Sequence, residues 1–525
     1  MTKITNKYWY LILMYAFLTT LSNASIVYGG YKLSSVLNNV VANNIDIVTK
    51  NTIIVLVSFI ISILLNYISD LIKVKAIYKI KVSLKDLISK KINSLNDIEF
   101  QKYKKGDYIS WYTNDVNSIE NLCINNIFNV VKSISAIILS TYAIFTFHWI
   151  IGLSLFGTTL LMIILPSLVQ SWVTKSTKKM SVAKENFSSR VENLISGYYV
   201  FSYANEKRKF YNLINLASKK EEKAISSYGY ANSFQGFILF ALFIASQMIM
   251  LFVSIYLALN NYTEVGAVLS VANISGTFFN GVNGLFGSAF VIKAGSIIVK
   301  KFKPHDVAEE NIEKIDFKNL KLLNLSYEIN NKQIFDNLNL EFKKDEKYLI
   351  VGESGKGKST LFNIIFGLID NYSGKILLNN ELNYKSVGKE NIKNLIWYMP
   401  QKTFIFNDTL KNNLTLFNED VSNEKIIEVL KKVNLEKLAN LESLEKIISI
   451  DTNNLSGGEM QRISIARALL QDRQILIFDE ITSNLDKNNR DIIEEIIKSM
   501  NKTILYISHT SNTINNNNFD KVIEL

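Results

Sequence analysis

The sequence predicts a multidomain membrane protein: a six-helix all-α transmembrane domain with long intracellular helical loops, followed by an α/β P-loop domain. Three observations carry this. Long charge-poor runs crowd the first 295 positions, while Lys, Glu, Asp and Asn dominate afterwards. Gly352-Glu353-Ser354-Gly355-Lys356-Gly357-Lys358-Ser359-Thr360 is a complete glycine-rich phosphate loop. Ile475-Leu476-Ile477-Phe478-Asp479-Glu480 is an apolar strand ending in two acids. At 525 residues the chain exceeds what one core supports, so at least two domains are expected.

Apolar stretches able to cross about 30 Å of hydrocarbon occur near residues 8 to 30, 52 to 72, 130 to 147, 149 to 170, 236 to 258 and 265 to 292. The first follows Lys3 and Lys7 but runs long for a secretory signal, so it reads as an uncleaved helix. Basic residues set the orientation. Lys73, Lys75, Lys79, Lys81, Lys85, Lys90 and Lys91 follow the second span; Lys175, Lys178, Lys179, Lys184, Arg190, Lys207, Arg208 and Lys209 follow the fourth. Both segments are expected in the cytoplasm, with both termini. The connections holding only Lys32 and Lys50, the turn near His148, and Asn260 to Glu264 are expected outside. The two basic segments show helical apolar spacing and no proline, and read as spans continuing into the cytoplasm; a solvated stalk is the plain account, a contact arm toward the second domain the functional one.

The net charge of +11 raises the question of nucleic acid. The basic residues beside apolar runs point instead to the anionic headgroups of a lipid bilayer, and no nucleic acid is expected. Cys123 is the only cysteine, which excludes an internal disulfide or thiolate cluster. The first domain is expected to run from 1 to 305, ending at Lys300-Lys301-Phe302-Lys303-Pro304-His305, and the second from 306 to 525.

In the second domain, Lys347 to Val351 reads as a buried strand entering the glycine loop and Ser359 to Phe366 as the helix leaving it. Loop amides and the helix N-terminus would hold the phosphates of ATP, Lys358 would reach the β and γ phosphates, and Ser359 would ligate Mg2+. Asp479 is expected near the metal, and Glu480 as general base or water-orienting residue. His509, ending the strand Thr503 to Ser508, would donate to the γ-phosphate. In isolation these would be a strand-closing carboxylate pair and an exposed loop histidine.

In this order the motifs resemble the nucleotide-binding domain of ABC transporters. The resemblance implies that Tyr327 stacks on adenine, that Gln401 in Met399-Pro400-Gln401 senses the γ-phosphate and the metal, that Leu455-Ser456-Gly457-Gly458-Glu459 is the signature motif and Ser483-Asn484-Leu485-Asp486 the D-loop. In that family Ser456, Gly457 and Gly458 would complete the nucleotide site of the opposite subunit, so a second half-transporter is expected, as homodimer or heterodimer. Phe100 to Glu120, with Gly106-Asp107 and Asn114-Asp115-Val116, and Val191-Glu192 through Glu206 look like the first and second intracellular loops of six-helix exporter-type members, whose short coupling helices transmit nucleotide closure. This makes the chain, by resemblance, an ATP-hydrolysing transporter of the cell membrane.

Three departures stand out. Ser449-Ile450-Asp451-Thr452-Asn453-Asn454 replaces the Gly-Glu-x-Gly element expected before the signature, with Asp451 a substitute acid; the signature ends in Glu459 where glutamine is commoner, a tolerated change; and the chain stops at Leu525, which implies a short C-terminal subdomain. The spans carry almost no charge, Asp70 and Lys132 lying near their ends, so the cavity is expected to be apolar with neutral polar spots and the cargo a small amphipathic molecule or a peptide, lipid or drug. With no peptidase domain ahead of the first span, a peptide would be expected to arrive already matured or to be cut elsewhere. Asn273, Thr277, Asn280 and Gly284 share one face of the sixth span, and Gly281, Gly284 and Gly287 recur every three residues; close packing and a cargo-facing wall both explain this. Pro166 reads as a kink. Import, and a sensing ATPase that moves nothing, remain as alternatives.

Overall fold

The computed structural model describes residues 7–302, 315–329, 332–353, 355–449, 455–482, 485–508 and 518–525, the side chains of 290, 293–297 and 300 excepted. Ser354, His509, Ser483 and Asn484, the 450–454 segment and the 303–305 end of the expected boundary therefore lie outside the described residues. The chain divides into two compact units, Met1–Asp306 and Val307–Leu525.

The first unit is built from α1 (Trp9–Val41), α2 (Ile45–Asn93), the short α3 (Asp97–Gln101), α4 (Lys105–Phe145), α5 (Trp149–Ser196), the short α6 (Tyr198–Tyr203), α7 (Lys207–Leu259) and α8 (Ala267–Lys300). Among the described residues α1, α2, α4, α5 and α7 are long and apolar enough to cross a membrane; the sixth expected span falls on the 34-residue α8. The basic segments are helical continuations of the spans: α2, α5 and α7 run 49, 48 and 53 residues. α2 and α5 each end at a short helix turning the chain, α7 starts after the second of these, and α3 is held by a capping box in which Asn96 accepts from the Glu99 amide at 2.8 Å. Pro166 sits inside the continuous α5.

The connection between the first two spans is tighter than its lysines suggest. The helices run through Lys32 and Lys50 and turn only at Ala42 to Asn44, with Asn43 at φ 56°. Polar side chains hold the pair together past its apolar part, Asn51 donating to Ser35 Oγ at 2.9 Å. The α4–α5 turn is capped by His148, whose Nδ1 accepts from the Ile150 amide at 3.2 Å. Two stretches of α4, Trp111–Asp115 and Glu120–Ile124, are wound as π-helix. Lys301 at the end of α8 reaches Asp115 in the first (2.8 Å), and Lys81 on α2 reaches Glu120 in the second (2.5 Å).

Close packing accounts for two of the three α8 glycines. A Cβ on Gly281 would stand 3.1 Å from the Ser133 carbonyl, and one on Gly284 2.5 Å from Ser133 Oγ, while Gly287 meets nothing. Lys132 is the charge expected near the start of the third span. It is a helical position inside α4 and donates to Asn66 Oδ1 of α2 at 3.1 Å.

In the second unit a parallel sheet has the order β11-β3-β10-β9-β6: β3 (Lys347–Val351), β6 (Ile396–Met399), β9 (Ile475–Asp479), β10 (Thr503–Ser508) and β11 (Lys521–Glu524). An antiparallel sheet of order β2-β1-β4-β5 joins β1 (Asn319–Ile329), β2 (Lys332–Lys343), β4 (Ser373–Leu378) and β5 (Leu382–Asn383), and β7 (Asp408–Thr409) pairs with β8 (Ile447–Ile448). The helices that concern the site are α9 (Lys358–Ile365), α10 (Lys389–Leu395), α11 (Leu410–Thr415), α12 (Asn423–Lys432), α13 (Gly457–Leu470) and α14 (Lys487–Ser499). The inner strands read as unbroken apolar runs because both faces are covered: every residue of β9 and β10 is buried. Leu349, Phe478 and Tyr506 face a cluster with α11 to α14, whereas Ile350, Ile477 and Leu505 face the antiparallel sheet and α9.

Candidate functional site

A parallel sheet with helices on both faces gathers its chemistry at the carboxyl ends of the strands. The expected residues obey that rule: the glycine loop follows β3, Gln401 follows β6, and Asp479 and Glu480 close β9.

The glycine loop is shaped by backbone conformation. Gly355 and Gly357 have φ of 86° and 91°, and Gly357 caps α9 from the left-handed region. A Cβ there would lie 2.4 Å from Ile334 Cγ2, so only glycine fits. Lys358 is 5% exposed, and its Nζ donates to the carbonyls of Gly352 (2.5 Å) and Glu353 (3.1 Å), which folds the ammonium back over the loop mouth. Ser359 is exposed in the first turn of the helix.

Across the sheet end, Gln401 Nε2 donates to Glu480 Oε2 at 3.1 Å. Glu480 has φ of 51°, in the left-handed region that a glutamate rarely adopts, and its amide donates to the Ile507 carbonyl at 3.3 Å. That conformation turns the side chain off the end of the strand, where the motif reading expects it. Asp479 is 9% exposed and accepts from the Tyr398 hydroxyl at 2.8 Å. Burial first, then the adjoining carboxylate, push the Tyr398 phenol above its ordinary value, so it remains a donor at neutral pH.

Tyr327 is placed differently from a free stacking platform. It is 8% exposed and in register with Phe335 on β2, which leaves little ring face for adenine in this conformation. Ser456 is the N-cap of α13: its hydroxyl accepts from the Glu459 amide (3.2 Å) and donates to Glu459 Oε2 (2.9 Å), and its own amide donates to the same oxygen (2.8 Å). Glu459 thus closes a capping box, the physical reason a glutamate is accommodated at this place. Gly458 is packed against Asn489 of α14, 2.5 Å from a built Cβ.

Four residues escaped the sequence reading: Tyr398, Gln461, Asn413 and Arg467. Gln461 of α13 donates to the Gln401 carbonyl (3.3 Å) and accepts from Thr403 Oγ1 (2.9 Å). Arg467, 5% exposed, donates to the carbonyls of Phe404 and Asn413 (both 2.5 Å) and to Asn413 Oδ1 (2.9 Å). Asn413 donates in turn to the carbonyls of Phe406, Asp408 and Thr409 (2.9, 3.2 and 3.0 Å). The glutamine loop is therefore stapled to the signature helix at both ends. Only the order of the motifs could have hinted at it, since the partners lie more than fifty residues apart.

The ABC transporter transmembrane region family matches residues 12–282, and the ABC transporter family matches residues 335–483. The chain belongs to the ABC transporter family. It carries a mostly helical transmembrane domain followed by an α/β ATPase domain that binds ATP, and it is an ATP-hydrolysing membrane transporter. Over its length it is 26% identical to the multidrug resistance-like ATP-binding protein MdlB of Buchnera aphidicola, covering 96% of this chain and 90% of that one. It is 28% identical to the lactococcin-G-processing and transport ATP-binding protein LagD of Lactococcus lactis over 78% of this chain, and spans 60% of that protein's length. A bacterial Atm1-family ABC exporter with ATP bound shares the fold, with a TM-score of 0.82 at 18% identity over 98% of this chain and 93% of the other.

Proposed function

We propose that this transporter is a half-transporter of the cell membrane that works as a dimer and exports a hydrophobic or amphipathic molecule, its ATPase unit and both termini in the cytoplasm. The observation that carries the reading is the arrangement of one phosphate loop and one signature serine in a single chain. Ser456 is the N-cap of α13, a helix N-terminus suited to a triphosphate. One copy of each motif supplies two complete sites only when two chains meet. The lysine- and arginine-rich extensions of α2, α5 and α7 support the orientation, and the names of the relatives support drugs or peptides as cargo.

In this reading Lys358, released from its loop carbonyls, pairs with the β and γ phosphates, and the amides of Gly352 to Thr360 enclose them. Tyr327 borders the adenine. Glu480 accepts a proton from the water that attacks the γ-phosphorus as the bond to the β-γ bridging oxygen breaks, leaving ADP and phosphate. Gln401, bonded to Glu480, aligns that water, and His509 follows β10 as a donor to the γ-phosphate. The hydroxyl of Ser359, the amide of Gln401 and the Asp479 carboxylate, one oxygen of it held by Tyr398, form an all-oxygen set that fits Mg2+. When bound, Mg2+ neutralises charge on the phosphates. Among the described residues no cluster of three His, Cys, Asp or Glu side chains competes as a metal site.

The decisive experiment reconstitutes the purified protein in vesicles. ATP turnover should fall by about 10²–10⁴ in Glu480→Gln with nucleotide binding retained. An amphipathic dye should accumulate in inverted vesicles only with ATP. Turnover equal to the Glu480→Gln control removes the catalytic reading, and ATP-driven loss of dye from those vesicles removes export.

A further inference from the structure

Within the first unit a polar cluster ties three helices together at membrane depth. Ser22 on α1 is 0% exposed and Ser62 on α2 3%, and their hydroxyls lie 2.9 Å apart. Asn66, one turn along α2, donates its amide to Ser22 Oγ and to the Ser62 carbonyl (3.1 Å). Asn23, 4% exposed, donates to Ser135 Oγ (2.7 Å) and to the Lys132 carbonyl (3.2 Å) on α4. At 1.5 Å per residue Lys132 sits about 20 Å along α4 from its end at Phe145, roughly two-thirds of the way through the hydrocarbon.

The network fixes one group in a particular way. Because the amide nitrogen of Asn66 is engaged by both serines, its carbonyl oxygen is left for the Lys132 ammonium, 3.1 Å away. An ammonium has three donors, and a neutral carbonyl satisfies one of them without answering the charge. Among the described residues no carboxylate lies within ion-pair distance of Lys132, although Asp70 is one turn beyond Asn66 on α2. A lysine that merely reaches for the membrane surface needs no such anchorage; here Ser22 of α1 and Ser62 of α2 hold its partner Asn66 in place, Asn23 of α1 holds the Lys132 backbone carbonyl, and the Lys132 side chain remains exposed.

We propose that Lys132, aimed by Asn66, is an anion-recognition site that takes the carboxylate or phosphate of an amphipathic molecule, whose apolar body lies along the spans. The inference rests on the export reading for its purpose but not for its test. An acidic head group supplies the missing countercharge, and its remaining oxygens accept the two other lysine donors.

The test is binding without ATP. The full-length protein is placed in phosphatidylcholine nanodiscs and titrated at neutral pH with dansyl-undecanoic acid and, separately, with its methyl ester. The wild type should bind the acid about tenfold more tightly than the ester, a difference that Lys132→Gln abolishes and Lys132→Arg keeps. Asn66→Ala should weaken acid binding by about threefold to fivefold. Unchanged ester affinity in each variant certifies the fold. Replacing the bilayer with phosphatidylglycerol separates the sources: if acid binding weakens in the wild type but not in Lys132→Gln, the site serves the lipid headgroup, and if it holds, the site serves cargo. Equal affinity for acid and ester in the wild type, or a preference surviving in Lys132→Gln, overturns the proposal. The export reading fails on a different readout, the ATP-driven dye flux.

Discussion

Arg467→Met tests whether the glutamine loop and the signature helix form one mechanical piece. The substitution removes three charge-assisted hydrogen bonds, to the carbonyls of Phe404 and Asn413 and to Asn413 Oδ1. Each is worth about 1.5–3 kcal/mol in a buried setting. Against this stands the desolvation of the guanidinium, which lowers its pKa to about 10 and corresponds to about 3 kcal/mol. The balance is a loss of about 3 kcal/mol, in the range for removing one member of a buried charged contact. For a unit of this size it should lower the unfolding temperature by about 6–12 °C. The assay is thermal unfolding of the full-length protein in detergent, followed by calorimetry, with Asn413→Ala and the double variant completing a cycle. Because the bond to Asn413 Oδ1 is lost in either single variant, the double variant should cost less than the two singles together. A drop under about 2 °C in Arg467→Met, or strict additivity, would show that the contact is not what holds these segments.

Other outcomes follow from the same geometry. Gly357→Ala should weaken ATP binding by at least about tenfold in equilibrium titration, because the position has φ of 91° and a Cβ would meet Ile334 Cγ2 at 2.4 Å. Gln461→Ala frees the Gln401 carbonyl and Thr403 Oγ1, so it should lower kcat by about tenfold at nearly constant nucleotide affinity; a rise in KM alone would contradict the staple. Asp486, which caps α14 by accepting from the Asn489 amide at 2.9 Å, has its pKa held below the ordinary aspartate value of 3.8, chiefly by that bond. A depressed carboxylate stabilises the fold above its unfolded pKa, and the contribution is lost as pH falls through the folded value. The melting difference between wild type and Asp486→Asn should hence stay constant from neutral pH down to 3.8 and shrink only below it.

What the sequence made legible is what is encoded in consecutive residues. The phosphate loop, the acidic strand end and the apolar runs are local patterns, and their chemistry depends on backbone conformations that those residues dictate: Gly357 at positive φ, β9 with both faces buried. Contacts spanning long separations left no local trace. Tyr398 looks like any half-buried strand aromatic until β6 pairs with β9 and brings its hydroxyl to Asp479. Tyr327 was expected to offer a ring face, but alternation along β1 places it inward beside Phe335. Hydropathy likewise ended the first two spans where the apolar stretches end, whereas the helices continue to Val41 and restart at Ile45 because paired polar side chains such as Asn51 and Ser35 support them outside the hydrocarbon. Lys132 read as a charge near a span end for the same reason, since the apolar window is shorter than the helix.

The signature helix ties these points together. At its N-terminus Ser456 and Glu459 satisfy two orphan backbone amides between them, and a carboxylate there also complements the positive end of the helix dipole. Toward its other end Arg467 is locked into Asn413, which itself closes three backbone carbonyls between Phe406 and Thr409. In the middle Gln461 holds the residue that touches Glu480. A helix fastened at these points cannot shift its N-terminus without moving Gln401, and Gln401 cannot approach a phosphate without pulling on the helix. The cost of the strained Glu480 backbone is thus borne by a region cross-linked through Gln401, Gln461, Asn413 and Arg467, which is where a protein can keep a reactive carboxylate in an unfavourable conformation.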